Sequence, residues 1–201
     1  KQGNAFIVHA KSDAEDLLTI KKDADFKYNP HPTYHAFQAR NLSKKQARDL
    51  LQIQQDHKML LFFGFVREYK GLRYLLQAMP AIKRKLSGVR LMVAGSFGDD
   101  KENYRQCILE QGIADCVDIV DGYMPDDEVE KYFAACDLVV LPYESATQSG
   151  IVQIAYGFKK PVIVTEVGGL PDVGESGKRG DVVEAKKGDA LAEGGFQDWE
   201  A

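Results

Sequence analysis

The chain has 201 residues, of which 44% are hydrophobic and 28% are charged, proportions typical of a soluble globular protein with a sizeable core. Its formal net charge of -4 argues against nucleic acid as the main partner, because phosphate-backbone binding usually requires a basic surface. No apolar run has a length that spans a bilayer, and the 3 cysteines lack the close spacing of a zinc site or disulfide scaffold. We therefore expect a cytoplasmic protein without a bound metal.

The first segment is predicted to be a strand followed by a helix. Ala5 to His9 is an apolar run, and Ser12 with the three residues after it is typical of a capped helix that continues to Ile20. The prolines within 29–34 cannot continue a helix, so this passage is predicted to connect two domains. A short helix is expected within 41–57.

From Met59 onward, apolar runs of strand length alternate with amphipathic segments of helix length. The predicted strands are 60–64, 89–95, 117–120, 138–141, 161–167 and 181–184. The predicted helices are 72–86, 103–111, 126–134, 151–158 and a segment that begins at 188. This alternation predicts an α/β fold, a Rossmann-like doubly wound parallel sheet of about six strands with ligands at the carboxyl ends of the strands.

The loop that begins at Gly64 carries Arg67 and Lys70, two cations placed three residues apart. At the carboxyl edge of a parallel sheet they can hold a diphosphate, because arginine offers a planar fork to phosphate oxygens and lysine offers a mobile point charge. The alternative interpretation is a solvated group of loop charges that includes Glu68.

A turn of Thr147, Gln148, Ser149 and Gly150 lies between an apolar strand and a short amphipathic segment. A helix start presents unpaired N–H groups to an anion, hydroxyls can cap the helix or bind phosphate, and glycine lets a pyrophosphate approach the backbone. The alternative is an ordinary helix cap. Glu144 is the carboxylate beside this turn and is therefore the candidate for acid or base catalysis.

Two further loops complete the predicted site. Gly95 and Ser96 lie in a glycine-rich loop without the G-x-G-x-x-G spacing of a dinucleotide fingerprint, so a dehydrogenase is not indicated. Gly122, Tyr123 and Met124 can line a nucleobase, or they only precede a helix that an aspartate caps.

Several motifs occur in unbroken order along the chain. They are Phe-Phe-Gly-x-x-Arg-x-Tyr-Lys-Gly (62–71), Ala-Gly-Ser (94–96), Asp-Gly-Tyr-Met-Pro (121–125), Asp-Leu-Val-Val-Leu-Pro-Tyr (137–143) and Lys-Pro-Val-Ile-Val-Thr-Glu-Val-Gly-Gly-Leu-Pro-Asp-Val (160–173). Together they resemble the C-terminal half of retaining glycosyltransferases of family 4 (group 1), which have the GT-B architecture of two Rossmann-like domains.

The resemblance implies a division of the chain into three parts. Residues 1–28 would be the last strand and helix of an absent N-terminal acceptor domain, 29–58 a linker with a short helix, and 59–201 a donor-binding domain truncated at its C-terminal end. The whole protein would transfer a hexosyl group from a nucleoside-diphosphate sugar to a sugar, lipid or polysaccharide acceptor that the absent domain binds. This chain alone would be inactive.

The resemblance also implies roles for individual residues. Arg67 and Lys70 would grip the donor diphosphate, Ser149 and Gly150 would offer N–H groups, and 122–124 would line the base. These cations and amides would neutralise the leaving diphosphate, so no metal cofactor is expected. The full-length protein would be cytoplasmic or attached peripherally to the inner face of the cell membrane.

The chain departs from the family pattern at three positions. Ala146 and Ile154 stand where the family commonly has two glutamates, and Arg67 lies two places later than the commonest arginine. The second glutamate normally holds the ribose, so either Glu144 replaces it, or backbone and water hold the ribose, or the donor differs. Two alternative functions remain: a non-catalytic nucleotide-binding or scaffold domain, and a nucleotide-sugar epimerase-like relative, which requires additional acid and base carboxylates.

Overall fold

The computed structural model describes residues 5–29, 37–171 and 180–194, and the chain forms two parallel sheets within them. In the smaller sheet, β1 (Phe6–Val8) pairs with β2 (Phe26–Tyr28), and α1 (Lys11–Ile20) connects the two strands. The predicted strand and helix are confirmed, whereas β2 was not predicted because its charged central residue leaves no apolar run.

The start of α1 differs from the prediction. Ser12 lies inside the helix, and the carboxylate of Asp13 accepts the backbone N–H of Ala10 at 3.0 Å. An acidic side chain in the first turn therefore satisfies a backbone donor that the helix itself leaves unpaired.

The larger sheet contains six parallel strands in the order β5-β4-β3-β6-β7-β8. The strands are β3 (Lys58–Phe63), β4 (Val89–Gly95), β5 (Val117–Asp121), β6 (Leu138–Leu141), β7 (Val162–Thr165) and β8 (Gly180–Val183). The helices described around them are α2 (Lys44–Leu50), α3 (Leu72–Lys85), α4 (Lys101–Glu110), α5 (Asp126–Ala135), α6 (Gly150–Gly157) and α7 (Gly188–Gly194). The predicted α/β fold with a doubly wound parallel sheet is confirmed.

Alternate side chains of β3 enter two different cores. Leu60 and Phe62 pack with α3 on one face, while Leu61 and Phe63 pack with α5 and α6 on the other. Because side chains alternate across a strand, a sheet covered on both faces needs continuous apolar runs such as 59–63.

The strand order reverses between β3 and β6, which pair at Leu60 and Leu138. Strands β4 and β5 follow on one side of β3, and β7 and β8 follow on the other side of β6. The connections leaving the carboxyl ends of β3 and β6 therefore diverge, and this divergence opens a crevice where ligands bind in open α/β sheets.

The predicted boundaries agree with the structure to within about three residues, as sequence patterns allow. The largest differences at a strand are two residues: β3 begins at Lys58 and not at 60, and β7 ends at Thr165 and not at 167. The predicted domain connection at 30–34 and the end of the last motif, Asp172 and Val173, lie outside the described residues.

Candidate functional site

A cleft of about 210 Å³ lies at the carboxyl ends of β3, β4 and β5. The residues that line it come from the loops after these strands and from the first turn of α6. They are Phe63, Gly64, Phe65, Lys70, Gly95, Ser96, Gly122, Tyr123, Met124 and Ile151. Seven of the residues predicted from sequence are therefore brought together in one cleft, and among its described lining residues none is an aspartate or glutamate.

Lys70 and the first turn of α6 face each other across Gly64. A Cβ placed on Gly64 would lie 3.4 Å from Lys70 Nζ and 3.7 Å from Ile151 Cδ1. The absence of a side chain at Gly64 thus leaves space between the Lys70 ammonium and the side chain of Ile151 in the first turn of α6. A cation and a helix N-terminus on the same side of the sheet form a combination suited to an anion.

Among the described residues, no carboxylate is paired with Lys70 or Arg67. Glu68 pairs with Arg73 at 3.4 Å, and within the ranges that the structure describes neither Lys70 nor Arg67 forms an ion pair. Burial lowers the pKa of Lys70, and the nearby charge of Arg67 lowers it further. An anion in the cleft would relieve this unfavourable placement of positive charge.

Arg67 lies at the outer rim of the site. Its guanidinium carbon is 5.7 Å from the Phe65 ring centroid, and its Nη1 is 3.3 Å from the place where a Cβ on Gly98 would lie. Arg67 is exposed and is not one of the residues lining the cleft. Its long side chain and planar fork allow it to reach a phosphate from the rim.

The start of α6 lacks a side-chain cap. Ser149 stands at the N-cap position, yet its hydroxyl accepts no backbone N–H of the helix and lies 3.4 Å from the hydroxyl of Tyr143. The alternative interpretation of this turn as an ordinary serine cap is therefore not what the structure shows. The N–H groups of the first turn remain available to an anion.

The other residues of this turn lie beside the cleft and do not line it. Thr147 and Gly150 are exposed and Gln148 is half-buried. The carbonyl oxygen of Thr147 accepts the N–H of Gly169 at 3.0 Å, which fastens the turn to the loop after β7. This backbone hydrogen bond holds the turn that precedes α6 in place.

Glu144 is separated from the predicted group. Its carboxylate lies 2.8 Å from Arg73 Nη2 and 3.6 Å from Lys186 Nζ, and it does not line the cleft. Ile154 is only 8% exposed and belongs to the core beneath α6. The structure therefore brings neither side chain to the position of a ribose ligand.

Sequence reasoning missed Phe63, Phe65, Ile151 and Tyr143 as residues of the site. The first three line the cleft, and Tyr143 contacts both Lys70 and Ser149. Ile151 carried a usable signal, since it follows the predicted anion-binding glycine directly. Tyr143 is the last residue of the motif at 137–143, but its contacts with Lys70 and Ser149 arise from tertiary packing, which the sequence pattern does not record.

The described residues hold no group of three His, Cys, Asp or Glu side chains arranged to bind a metal ion. No helix among them combines the length and the apolar character needed to cross a bilayer.

Comparison with known proteins gives a family match over most of the chain. The family described as glycosyl transferases group 1 matches residues 57–195. An uncharacterized glycosyltransferase of Methanocaldococcus jannaschii is 32% identical over 149 residues, covering 73% of this chain and 37% of the relative. The D-inositol 3-phosphate glycosyltransferase of Mycobacterium marinum is 27% identical over 187 residues, covering 90% of this chain and 39% of the relative. The chain thus spans well under half the length of these relatives.

Solved structures share the fold. The sucrose-phosphate synthase of Thermosynechococcus elongatus superimposes with a TM-score of 0.78 and 21% identity, covering 95% of this chain and 48% of that one. HepE of Anabaena, solved in complex with UDP-glucose, superimposes with a TM-score of 0.76 and 20% identity, covering 96% of this chain and 53% of that one.

Proposed function

The chain belongs to the group 1 glycosyl transferases, and from this premise we propose that its six-stranded sheet carries the nucleoside-diphosphate sugar site of a retaining enzyme of family 4. The observation that carries the proposal is the meeting of Lys70 and the uncapped start of α6 across Gly64. Both elements favour an anion, and neither is neutralised by a carboxylate of the described chain.

The diphosphate would lie between these two elements. Lys70 would contact it with its ammonium, the N–H groups at 149–151 would donate to its oxygens, and Arg67 would close over it from the rim. Partly buried donors of this kind act more strongly than they would in water, because the surrounding dielectric is lower. The electrostatic stabilisation is greatest for the species that carries the most negative charge.

This arrangement would favour departure of the nucleoside diphosphate. As the bond between the anomeric carbon and the leaving oxygen breaks, the sugar gains oxocarbenium character and the diphosphate gains negative charge. Lys70, Arg67 and the amides of α6 would stabilise that charge in the transition state without a metal. The acceptor hydroxyl would then bond to the anomeric carbon on the face that the diphosphate leaves and transfer its proton to the leaving diphosphate oxygen, which gives retention of configuration.

The nucleoside would occupy the apolar part of the cleft. Phe65 and the 122–124 loop would flank the base, and Tyr123, which is 72% exposed, is free to turn toward it. Glu144 could serve the ribose or the reaction only by leaving Arg73 and Lys186. We therefore propose that backbone groups and water hold the ribose.

The family match, and the coverage of about half of the solved chains, support the remaining assignments. We propose that the chain is the C-terminal half of a GT-B hexosyltransferase. Its first segment, which contains the smaller sheet, would belong to the acceptor-binding domain. The acceptor would be a sugar, lipid or polysaccharide, and the enzyme would act in the cytoplasm, free or peripherally bound to the membrane. HepE, the Anabaena relative in fold, binds UDP-glucose, which makes a uridine nucleotide the first ligand to test.

Calorimetric titration of this chain with UDP, GDP and UDP-glucose tests the proposal. Binding of at least one ligand is expected, with an affinity at least about tenfold lower in the Arg67→Ala, Lys70→Ala double variant, since two charged contacts are lost. The matched control is Lys45→Ala, Arg84→Ala, which removes two exposed cations elsewhere. Equal affinities in the two double variants would refute the diphosphate grip, and no binding by the parent chain would favour the scaffold alternative.

A further inference from the structure

Tyr143 is a buried aromatic residue at the centre of the proposed diphosphate site. It follows β6, is 3% exposed, and its carbonyl oxygen accepts the hydroxyl of Thr165 at 2.5 Å. Its ring meets the ring of Tyr69 edge to face, with centroids 6.3 Å apart. Tyr143 is thus fixed from the strand beside it and from the loop that carries Lys70.

The ring of Tyr143 is the aromatic partner of Lys70. The ammonium lies 5.7 Å from the ring centroid. An aromatic face attracts a cation without adding a negative charge, whereas a carboxylate would neutralise the cation and compete with a phosphate. Burial raises the pKa of Tyr143 to about 12, so its hydroxyl stays neutral over the physiological range.

The hydroxyl of Tyr143 reaches the other half of the site. It lies 3.4 Å from the hydroxyl of Ser149, the residue at the N-cap position of α6. A serine at this position commonly accepts the N–H two or three residues further on. With its hydroxyl near that of Tyr143, Ser149 does not cap those N–H groups.

We propose that Tyr143 is a positioning residue that prepares both halves of the diphosphate site, holding Lys70 with its ring and withdrawing the Ser149 hydroxyl from the start of α6. This inference rests on the proposed donor site and adds to it a residue that touches no donor atom. It also explains how a serine at the N-cap position coexists with an uncapped helix.

A cycle of variants tests the role of the hydroxyl. Tyr143→Phe frees Ser149 to cap α6, so the dissociation constant for UDP or GDP should rise about three- to tenfold, the equivalent of one hydrogen bond lost to competition. The effect of Tyr143→Phe should disappear once the Ser149 hydroxyl is removed, so Tyr143→Phe, Ser149→Ala should bind the nucleotide within about twofold of Ser149→Ala, whatever the affinity of that single variant. A further loss of affinity when Tyr143→Phe is added to Ser149→Ala, or no effect of Tyr143→Phe alone, would overturn the hydroxyl role.

A measurement without nucleotide tests the role of the ring. Nuclear magnetic relaxation of the Lys70 Cε should report an ordered side chain in the parent and in Tyr143→Phe, and a mobile one in Tyr143→Leu, with exposed Lys45 as the mobile reference. Equal order in the Phe and Leu variants would overturn the ring role. Because this readout needs no ligand, its failure is distinct from a failure of the parent chain to bind nucleotide, which would refute the donor site itself.

Discussion

Gly95 passes so close to Gly64 that a Cβ on Gly95 would lie 1.9 Å from the Gly64 carbonyl oxygen. Gly95 is the last residue of β4, Gly64 directly follows the neighbouring strand β3, and both glycines line the cleft. Their close approach brings the loops that follow these strands together, so the shape of the cleft depends on a position where only glycine fits.

Gly95→Ala should therefore lower the free energy of unfolding by about 1–3 kcal/mol more than Gly122→Ala, since it adds a backbone clash to conformational strain. Gly122 is the matched control, because its φ of 138° resembles the 155° of Gly95 and a Cβ there would meet nothing within 4 Å. Urea unfolding of both variants measures the difference. Equal destabilisation by the two substitutions would show that the sheet adjusts to the added Cβ at Gly95 without further cost.

A buried ion pair at the amino ends of β3 and β6, opposite the cleft, should be essential for the stability of the fold. Arg48, which is 0% exposed, donates to Asp137 Oδ2 at 2.6 Å, and the same oxygen accepts the N–H of Met59 at 2.7 Å. Asp137→Ala should cost about 3–5 kcal/mol of unfolding free energy, because it leaves a buried guanidinium unpaired.

The control for that change is Glu102→Ala, which removes an exposed carboxylate 3.7 Å from Arg105. Its expected cost is less than about 1 kcal/mol, since solvent screens the exposed pair. Chemical denaturation measures both values. A cost for Asp137→Ala as small as that for Glu102→Ala would contradict the structural role of the pair.

Glu144→Gln should leave the affinity for the nucleotide within about twofold, because the carboxylate lies with Arg73 and Lys186 outside the cleft. Calorimetry with the ligand that binds the parent chain measures this directly. A large loss of affinity would mean that Glu144 turns to the ribose when the donor binds, as one of the interpretations of the sequence proposes.

Nucleotide affinity should decrease as the pH rises, and the decrease should begin at a lower pH than it would for a lysine with an ordinary pKa. Burial and Arg67 lower the pKa of Lys70 in the free protein below 10.5, and a bound diphosphate favours the protonated ammonium. Affinity is therefore highest below the lowered pKa and declines by up to about tenfold per pH unit above it.

The control for this pH dependence is Lys70→Arg, whose guanidinium stays charged throughout the range. Titrations between about pH 7.5 and 10 should show the decline in the parent chain and a flatter profile in the variant. Identical profiles would show that Lys70 does not carry the diphosphate charge.

The sequence was most informative where apolar periodicity alone determines the structure. The run at 59–63 predicts a strand buried on both faces, and its side chains do enter two cores. Strand β2 was missed because it is three residues long, with a charged central residue and little burial. Short strands stabilised by pairing leave a weak pattern in the sequence.

The candidate site was predictable to the extent that it consists of loops at strand ends. Parallel topology brings Gly64, Gly95 and Gly122 to the carboxyl edge of the sheet because each lies at or just after a strand end. The structure places all three in the cleft. The position of the Glu144 carboxylate depends on Arg73 and Lys186, which are 71 and 42 positions away along the chain. Such pairings arise from tertiary packing, which sequence spacing does not record.

The most direct test of the central claim is a crystal structure of the chain with UDP, or with GDP if that nucleotide binds more tightly. We expect the β-phosphate between Lys70 Nζ and the N–H groups of the first turn of α6, with the base beside the 122–124 loop. A diphosphate bound away from both Lys70 and α6 would contradict this claim.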